Sequence, residues 1–284
     1  MAKIIVTHFN PDLDALCCIW LIRKFWPIVK KDVSWADAEV KFVGAGKTLN
    51  DEPVDSNPDI VHVDTGLGKF DHHQDAKLAP ACSLVFKDLE TESEKIENNE
   101  ALARLVDVVV DADRGNYIHW SESQTDRYEF SLNSIIDGLK KQSNFTDPEL
   151  VDFGMTAFEG VYLGLRIKIQ AEKTLEEGIQ FSTKWGDALA FEVENDAVLE
   201  AGEKKGFSIV IRKDPRKGWV RIYARNDRGV DLTPVYEELK KSDPEATWFL
   251  HQSKCLLLNG SSKNPGMKPT KLSLDQVMKI FKNI

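Results

Sequence analysis

The 284-residue chain is poor in the features that would tie it to several protein classes. Its four cysteines, Cys17, Cys18, Cys82 and Cys255, include no C-x-x-C pair. That excludes a zinc ribbon and a disulfide framework, and leaves buried free thiols. No run of about eighteen apolar residues occurs, so no segment is expected to span a bilayer. The apolar start Ile4-Ile5-Val6 breaks at Thr7-His8, too short for a signal peptide, and a cytoplasmic location is expected. Internal repeats and low-complexity tracts are absent. Positive charge is scarce: 37 Lys and Arg face 46 Asp and Glu, a net of −9. Indiscriminate coating of nucleic acid is therefore disfavoured.

What is present describes a globular protein, with 42% hydrophobic and 29% charged residues, long enough for two cores. The charge is unevenly placed. Residues 185–284 hold 17 Lys and Arg against 14 Asp and Glu, whereas the remainder holds 20 against 32. An acidic half joined to a mildly basic one suits a phosphorylated substrate held between them, although a solvated charged surface would look the same.

Over the first ninety residues, strands alternate with helices. Lys3–Phe9 is a β-branched run and reads as a buried strand. Asp14–Phe25 carries apolar residues at three- and four-residue steps and is expected to stop at Pro27. Strands are expected over Glu39–Ala45 and Asp59–Asp64, and helices over Ala81–Leu89 and 99–111. This alternation indicates a parallel sheet with helices on its faces. Residues 128–181 read as all-helical: one helix to about Lys141, then a long one from Asp147 to about Phe181. After Trp185 the texture changes. Phe207–Arg212 and Gly218–Ala224 read as a hairpin, Lys254–Leu258 as a strand, and Pro234–Lys241 and Ser273–Lys282 as helices. The expected class is α/β, with a parallel-sheet domain over 1–125, a helical connector over 126–184 and a smaller α+β domain over 185–284.

Two short stretches carry the chemistry. His8-Phe9-Asn10-Pro11-Asp12-Leu13-Asp14 follows the first strand, and Asp71-His72-His73-Gln74 lies shortly after the third, which ends at Asp64. Ligands at the carboxyl ends of parallel strands sit where an open α/β sheet presents its crevice. Were Asp12, Asp14, Asp64, Asp71 and Asp111 to converge, each pair about 4 Å apart would repel by roughly 4 kcal/mol at a dielectric near 20. Several such pairs rival the roughly 5–15 kcal/mol stability of a domain. Two divalent cations remove that cost. Mixed His and Asp donors favour manganese over magnesium, with zinc and iron still open.

The ordered set His8-x-x-x-Asp12-x-Asp14-Ala15, Asp64 and Asp71-His72-His73 resembles the DHH phosphoesterase superfamily, which includes RecJ-type exonucleases, oligoribonucleases and manganese-dependent pyrophosphatases. Asp71-His72-His73-Gln74 before a helix, Val110-Asp111-Ala112-Asp113 ending another, and the long helix before Trp185 look like the Myg-type (melanocyte proliferating gene) exonucleases. So do the strand pair around Trp219, Trp248-Phe249-Leu250-His251 and the Asn259-Gly260 turn. One position departs: the Myg-type pattern has a second histidine where this chain has Asp12. The resemblance implies that His8 and Asp12 hold one metal and Asp14 with His72 the other. Asp64 would bridge both and act in catalysis, and Asp111 would complete the second metal's ligands, with Asp113 as its rival. His73 would face the substrate phosphate, and Asp71 would orient the histidines.

In the C-terminal part, His251 and Asn259-Gly260-Ser261 resemble the superfamily's substrate loop. Arg212, Arg221 and Arg225 alternate with apolar residues on adjacent strands and are candidates for a phosphate-binding face, a plain solvated face being the alternative. Trp219, Tyr223 and Trp248 are candidates for base stacking or for core packing. The expected activity is metal-dependent phosphodiester hydrolysis, as an exonuclease on single-stranded RNA or short oligonucleotides. A phosphatase acting on a nucleotide, cyclic dinucleotide or pyrophosphate is the rival enzyme, and a metal-bound nucleotide sensor the non-enzymatic one. A homodimer stays open.

Overall fold

A computed structural model describes residues 2–75 and 77–284. The chain is a mixed α/β protein folded as two compact units, one ending at Leu165 and the other running from Arg166 to Ile284. In the first unit, β1 (Ile4–His8) lies centrally, parallel to β2 (Glu39–Val43) on one side and β3 (Ile60–His62) on the other. Between β1 and β2 runs α1 (Leu13–Val29), buried at every position from Leu13 to Ile22. Cys17 and Cys18 of this helix are buried free thiols, as is Cys82.

Asp12 starts α1 by capping it: its Oδ1 accepts from the Asp14 and Ala15 amides at 3.0 and 3.1 Å. Pro27 does not stop the helix, contrary to the sequence expectation. It costs one backbone bond near the end, while Lys30 N still reaches Trp26 O at 2.8 Å. Trp26 also packs edge-on against Trp35, ring centroids 4.7 Å apart, which holds that last turn in place.

Helices α2 (Ala81–Glu92), the short α3 (Glu94–Glu97) and α4 (Glu100–Asp113) follow, with α2 and α4 packed on α1. Next come α5 (Leu132–Lys140) and α6 (Asp147–Thr174). Trp20 of α1 stacks on Phe158 of α6 at 5.8 Å. Gly154 allows the approach, since a Cβ there would stand 3.3 Å from Leu16.

The expected extension of this helix to about Phe181 is wrong. The helix ends at Thr174, and β4 (Ile179–Thr183) is already a strand. Gly178 between them presses on its neighbours so closely that a Cβ would come within 2.5 Å of Leu189. The second unit continues with β5 (Gly186–Glu192), α7 (Ala197–Lys204), β6 (Ile209–Lys213), β7 (Val220–Ala224), α8 (Thr233–Ser242), β8 (Phe249–Leu250), β9 (Leu256–Asn259) and α9 (Leu274–Asn283). Its sheet has the order β4-β5-β6-β7-β9-β8, antiparallel except for β5 beside β6. Ile209, Ile211, Ile222 and Leu257 build one core with Val277 and Phe281 of α9, and Leu189 and Val210 build another with Val198 and Leu199 of α7. Among the described residues no helix is long and apolar enough to cross a membrane.

Candidate metal centre

The carboxyl ends of β1 and β3 bring the acidic motifs together. His8 is the last residue of β1. Asp64 stands two residues beyond β3 in a left-handed backbone conformation, φ +53°, which costs a non-glycine residue about 1–2 kcal/mol. Such strain persists where the surroundings over-determine it. Here the Asp64 amide is held by Phe70 O at 2.9 Å, and the side chain is buried among imidazoles.

Asp64 links two donor sets. His8 Nε2 lies 3.1 Å from Asp64 Oδ2 and 4.0 Å from Asp12 Oδ2. His72 Nε2 lies 3.3 Å from Asp64 Oδ1, 3.9 Å from Asp14 Oδ2 and 3.9 Å from Asp113 Oδ2. The sets His8–Asp12–Asp64 and Asp14–His72–Asp113 each offer one donor atom per residue within 4.8 Å of the others. Around one cation with bonds of roughly 2.0–2.2 Å, donor atoms stand roughly 3–4 Å apart, so both sets have the right spacing. Asp64 Oδ1 is buried and accepts no hydrogen bond among the described residues. A buried carboxylate oxygen approached only by imidazole nitrogens, His72 Nε2 at 3.3 Å and His73 Nδ1 at 3.7 Å, is what a cation would satisfy.

The titration of these groups shows the same deficit of positive charge. Burial, reinforced by the Asp64 charge, pushes the Asp14 carboxyl up to about 8. Burial works against His8, yet its Asp64 and Phe9 carbonyl contacts raise it to about 9. The Asp64 contact likewise raises His72 to about 9 against burial. Burial would raise Asp64, but His72 and His8 hold it well below the usual carboxylate range. Without cations, protons must balance the cluster; the donor set fits divalent metal.

Asp14 also has a structural task. Its two oxygens accept from Ala81 N at 2.7 Å and Cys82 N at 2.8 Å, the first amides of α2. Asp71 is buried completely; Oδ2 accepts from Leu67 N at 2.7 Å, and Oδ1 takes His73 N at 3.1 Å and His73 Nδ1 at 2.8 Å. Asp71 orients His73 and not His72. The His73 ring is 58% exposed and lines a cavity of about 420 Å³ with His8, Asp12, Ala45, Gly46, Asp64 and Asp113. Ala45, expected at the end of a strand, and Gly46 belong to the turn after β2, which ends at Val43.

Asp111 does not join the cluster; Asp113 does. Both lie in the last turn of α4, but the Asp111 carboxylate accepts from Asn116 Nδ2 at 2.9 Å and Trp120 Nε1 at 2.5 Å, which hold it below its ordinary pKa. A two-residue step along a helix turns the side chain about 200°, so only one of the pair can face His72. Asp113→Asn is expected to weaken Mn²⁺ binding by at least about tenfold, and Asp111→Asn to leave it within about twofold. Calorimetric titration checks this; equal losses would return the role to Asp111. His62, buried at the end of β3, accepts from Leu49 N at 3.1 Å and lies outside the donor sets.

The expected substrate residues of the second unit are engaged within it. Arg212 is buried and, like Arg221, bound to Asp196, while Arg225 pairs with Asp227 at 2.8 and 2.5 Å. These three form no open basic face. Asn259 is fully buried. Its amide donates to Thr247 O and Lys268 O at 2.9 Å each, and its oxygen accepts from Thr270 N at 2.7 Å. Gly260 has φ +98°, and a Cβ there would stand 2.1 Å from the Trp219 ring. Ser261 Oγ accepts from Lys263 N, and His251 Nδ1 meets Ser253. Asn259 therefore pins the 247–270 region. Asn259→Ala is expected to cost about 2–4 kcal/mol in urea unfolding, because three backbone partners, the buried Thr270 amide among them, lose their bonds. A loss under about 0.5 kcal/mol, the size of an ordinary surface change, would contradict that role. Trp248 is buried in the core, as the packing alternative had it.

Fold and site thus define a mixed α/β protein whose N-terminal unit gathers carboxylates and imidazoles suited to divalent cations. No protein-family model and no curated protein matches the chain. Among solved structures it is similar to the DHH domain of a protein described as belonging to a family of ribosomal proteins. That likeness has 12% identity and a TM-score of 0.33, over 99% of this chain and 86% of the other. It is also similar to RecJ from Thermus thermophilus, solved in complex with Mg²⁺, at 10% identity and a TM-score of 0.33. There it covers 99% of this chain and 49% of RecJ, so this chain spans about half of RecJ's length.

Proposed function

We propose that this chain is a metal-dependent phosphoesterase, acting as an exonuclease on single-stranded RNA or short oligonucleotides. The observation that carries the hydrolase reading is a pair of donor sets, His8–Asp12–Asp64 and Asp14–His72–Asp113, joined by the 3.3 Å contact of buried Asp64 Oδ1 with His72 Nε2, beside a cavity. The order of the motifs, from His8 to Asp71-His72-His73, supports the choice of a phosphoester, and their likeness to Myg-type exonucleases supports the oligonucleotide.

His8, Asp12 and Asp64 would hold one cation, and Asp14, His72, Asp113 and Asp64 the other. Bound there, two Mn²⁺ ions supply charge neutralisation at the phosphoryl oxygens and a water of lowered pKa. The remaining work belongs to side chains. Asp71, as an ionised acceptor, fixes His73 with its proton on Nδ1, which leaves Nε2 for the phosphate or leaving oxygen. A protonated Nε2 can donate to the leaving oxygen, and a neutral one can accept from water. Asp64, held by its backbone and by two imidazoles, keeps the donor sets in register.

The test combines metal content with product analysis. Protein loaded with Mn²⁺ is expected to carry two equivalents and to shorten 5′- or 3′-labelled single-stranded RNA stepwise. Release of phosphate from a mononucleotide without shortening would replace the exonuclease by a small-molecule phosphatase. Nucleotide binding with no turnover across a phosphoester panel would leave a sensor.

A further inference from the structure

The sheet of the second unit carries two arginines, Arg212 buried and Arg221 partly buried, for which the described residues supply too few acceptors. Arg212 of β6 and Arg221 of β7 are register partners. By strand alternation they share a face with Val210 and Tyr223, the face packed with α7. One carboxylate meets both: Asp196 Oδ1 accepts from Arg212 Nη2, and its Oδ2 from Arg221 Nη1. A guanidinium carries five N–H donors in a fixed fork. The Arg212 side chain is only 3% exposed, yet its Nε and Nη1 have no hydrogen-bond partner among the described residues, nor has Arg221 Nε. Nη1 of Arg212 stands 3.5 Å from Asp214 Oδ2 without bonding it. The other Asp214 oxygen accepts from the Arg216 and Lys217 amides at 2.8 and 2.9 Å. Buried donors left unpaired call for a missing acceptor.

Asp196 is placed to be exchanged. It precedes α7 without capping it: no helix amide donates to its side chain, and the Ala197 amide goes to Asn195 Oδ1 at 3.0 Å. Its side chain is 40% exposed, so the acceptor of both arginines lies at the surface. In the same loop Glu194 binds Arg216, from the turn between β6 and β7. One short acidic loop therefore neutralises arginines of one hairpin.

We propose that Arg212 and Arg221 form a phosphate seat, and that Asp196 is the chain's own stand-in, holding the seat until a phosphate displaces it. A carboxylate is planar and offers two oxygens. A phosphate offers three or four in a tetrahedron, enough to meet the orphaned Nε of each fork together with the Nη donors that Asp196 now holds. The sequence marks Arg212 and Arg221 as candidates for a phosphate-binding face; the structure adds the competitor that closes it. The apparent affinity is the intrinsic one reduced by the fraction of time Asp196 is away. That the phosphate belongs to a phosphoester substrate rests on the hydrolase reading. The seat itself uses no cation.

The test is therefore run in EDTA, with inorganic phosphate as the probe. In calorimetric titration, Asp196→Ser is expected to bind phosphate about tenfold or more tightly than the unaltered protein. Adding Arg221→Gln in the same chain is expected to remove the gain. Equal affinities in the unaltered and Asp196→Ser proteins would overturn the proposal, and so would a gain that survives Arg221→Gln. Should Asp196→Ser fail to fold, melting of the unaltered protein decides. Phosphate is expected to raise its Tm above chloride at equal ionic strength, and Arg221→Gln to abolish that rise; an equal rise in both overturns the seat. Because no metal is present, a negative result leaves the hydrolase reading standing, and inactivity with Mn²⁺ leaves the seat standing.

Discussion

Asp64→Asn is expected to abolish hydrolysis, with a fall of at least about a thousandfold, and to remove both Mn²⁺ equivalents together. The carboxylate is the only group within reach of both His8 and His72, through different oxygens, among the described residues. An amide keeps the volume and one acceptor but gives up the charge, and its NH₂ would face an imidazole. A group shared by two cation sites should fail cooperatively, as residues that act as a unit do. Metal content by mass spectrometry and activity on labelled RNA are to be read on the same preparation. Two bound equivalents in Asp64→Asn would remove it as the shared ligand. Full activity would remove it from the chemistry altogether.

Asp14→Ala is expected to be the most destabilising change in the site, by about 2–5 kcal/mol in urea unfolding with EDTA present. Its carboxylate is buried and takes the first two amides of α2 from 67 and 68 positions along the chain. Loss of the side chain leaves two buried N–H groups without acceptors, at about 1–3 kcal/mol each. The gain from removing a negative charge near Asp64 opposes this, since burial and Asp64 together already push Asp14 towards its neutral form. The two lost amide bonds are expected to win. Asp14→Asn, which retains one acceptor oxygen, should recover part of the loss while still binding the second cation poorly. Unchanged stability of Asp14→Ala would show that α2 does not depend on this contact.

The first ninety residues were the most legible. β1, α1 and β3 carry strong apolar patterns, and the site motifs fall at their ends, so the meeting of His8, Asp12, Asp14, Asp64 and His72 could be expected from motif position together with the resemblance those motifs carry. The choice between Asp111 and Asp113 was not legible, because helical phase decides it: Trp120, nine residues on, captures the one that faces away. The end of α6 is hidden in the sequence because Ala171, Leu175 and Ile179 keep a helix-compatible four-residue spacing. The pairing of β4 with β5 and the tight seat of Gly178 override it. In the second unit, alternation showed correctly that Arg212 and Arg221 share a face. Their partner was invisible: Asp196 lies 16 and 25 residues upstream, in a stretch where neither β5 nor α7 was anticipated. Asn195-Asp196 before Ala197-Val198-Leu199 is a helix-start signal that could have located α7. Asn259 and Gly260 were noticed for their turn chemistry, but only burial shows that the turn is pinned from inside.

Anomalous diffraction at the manganese edge, from crystals grown or soaked with Mn²⁺, tests the central claim most directly. Two peaks are predicted, one among His8, Asp12 and Asp64 and one among Asp14, His72, Asp113 and Asp64. No peak at Asp64, or manganese bound only elsewhere on the molecule, would contradict it.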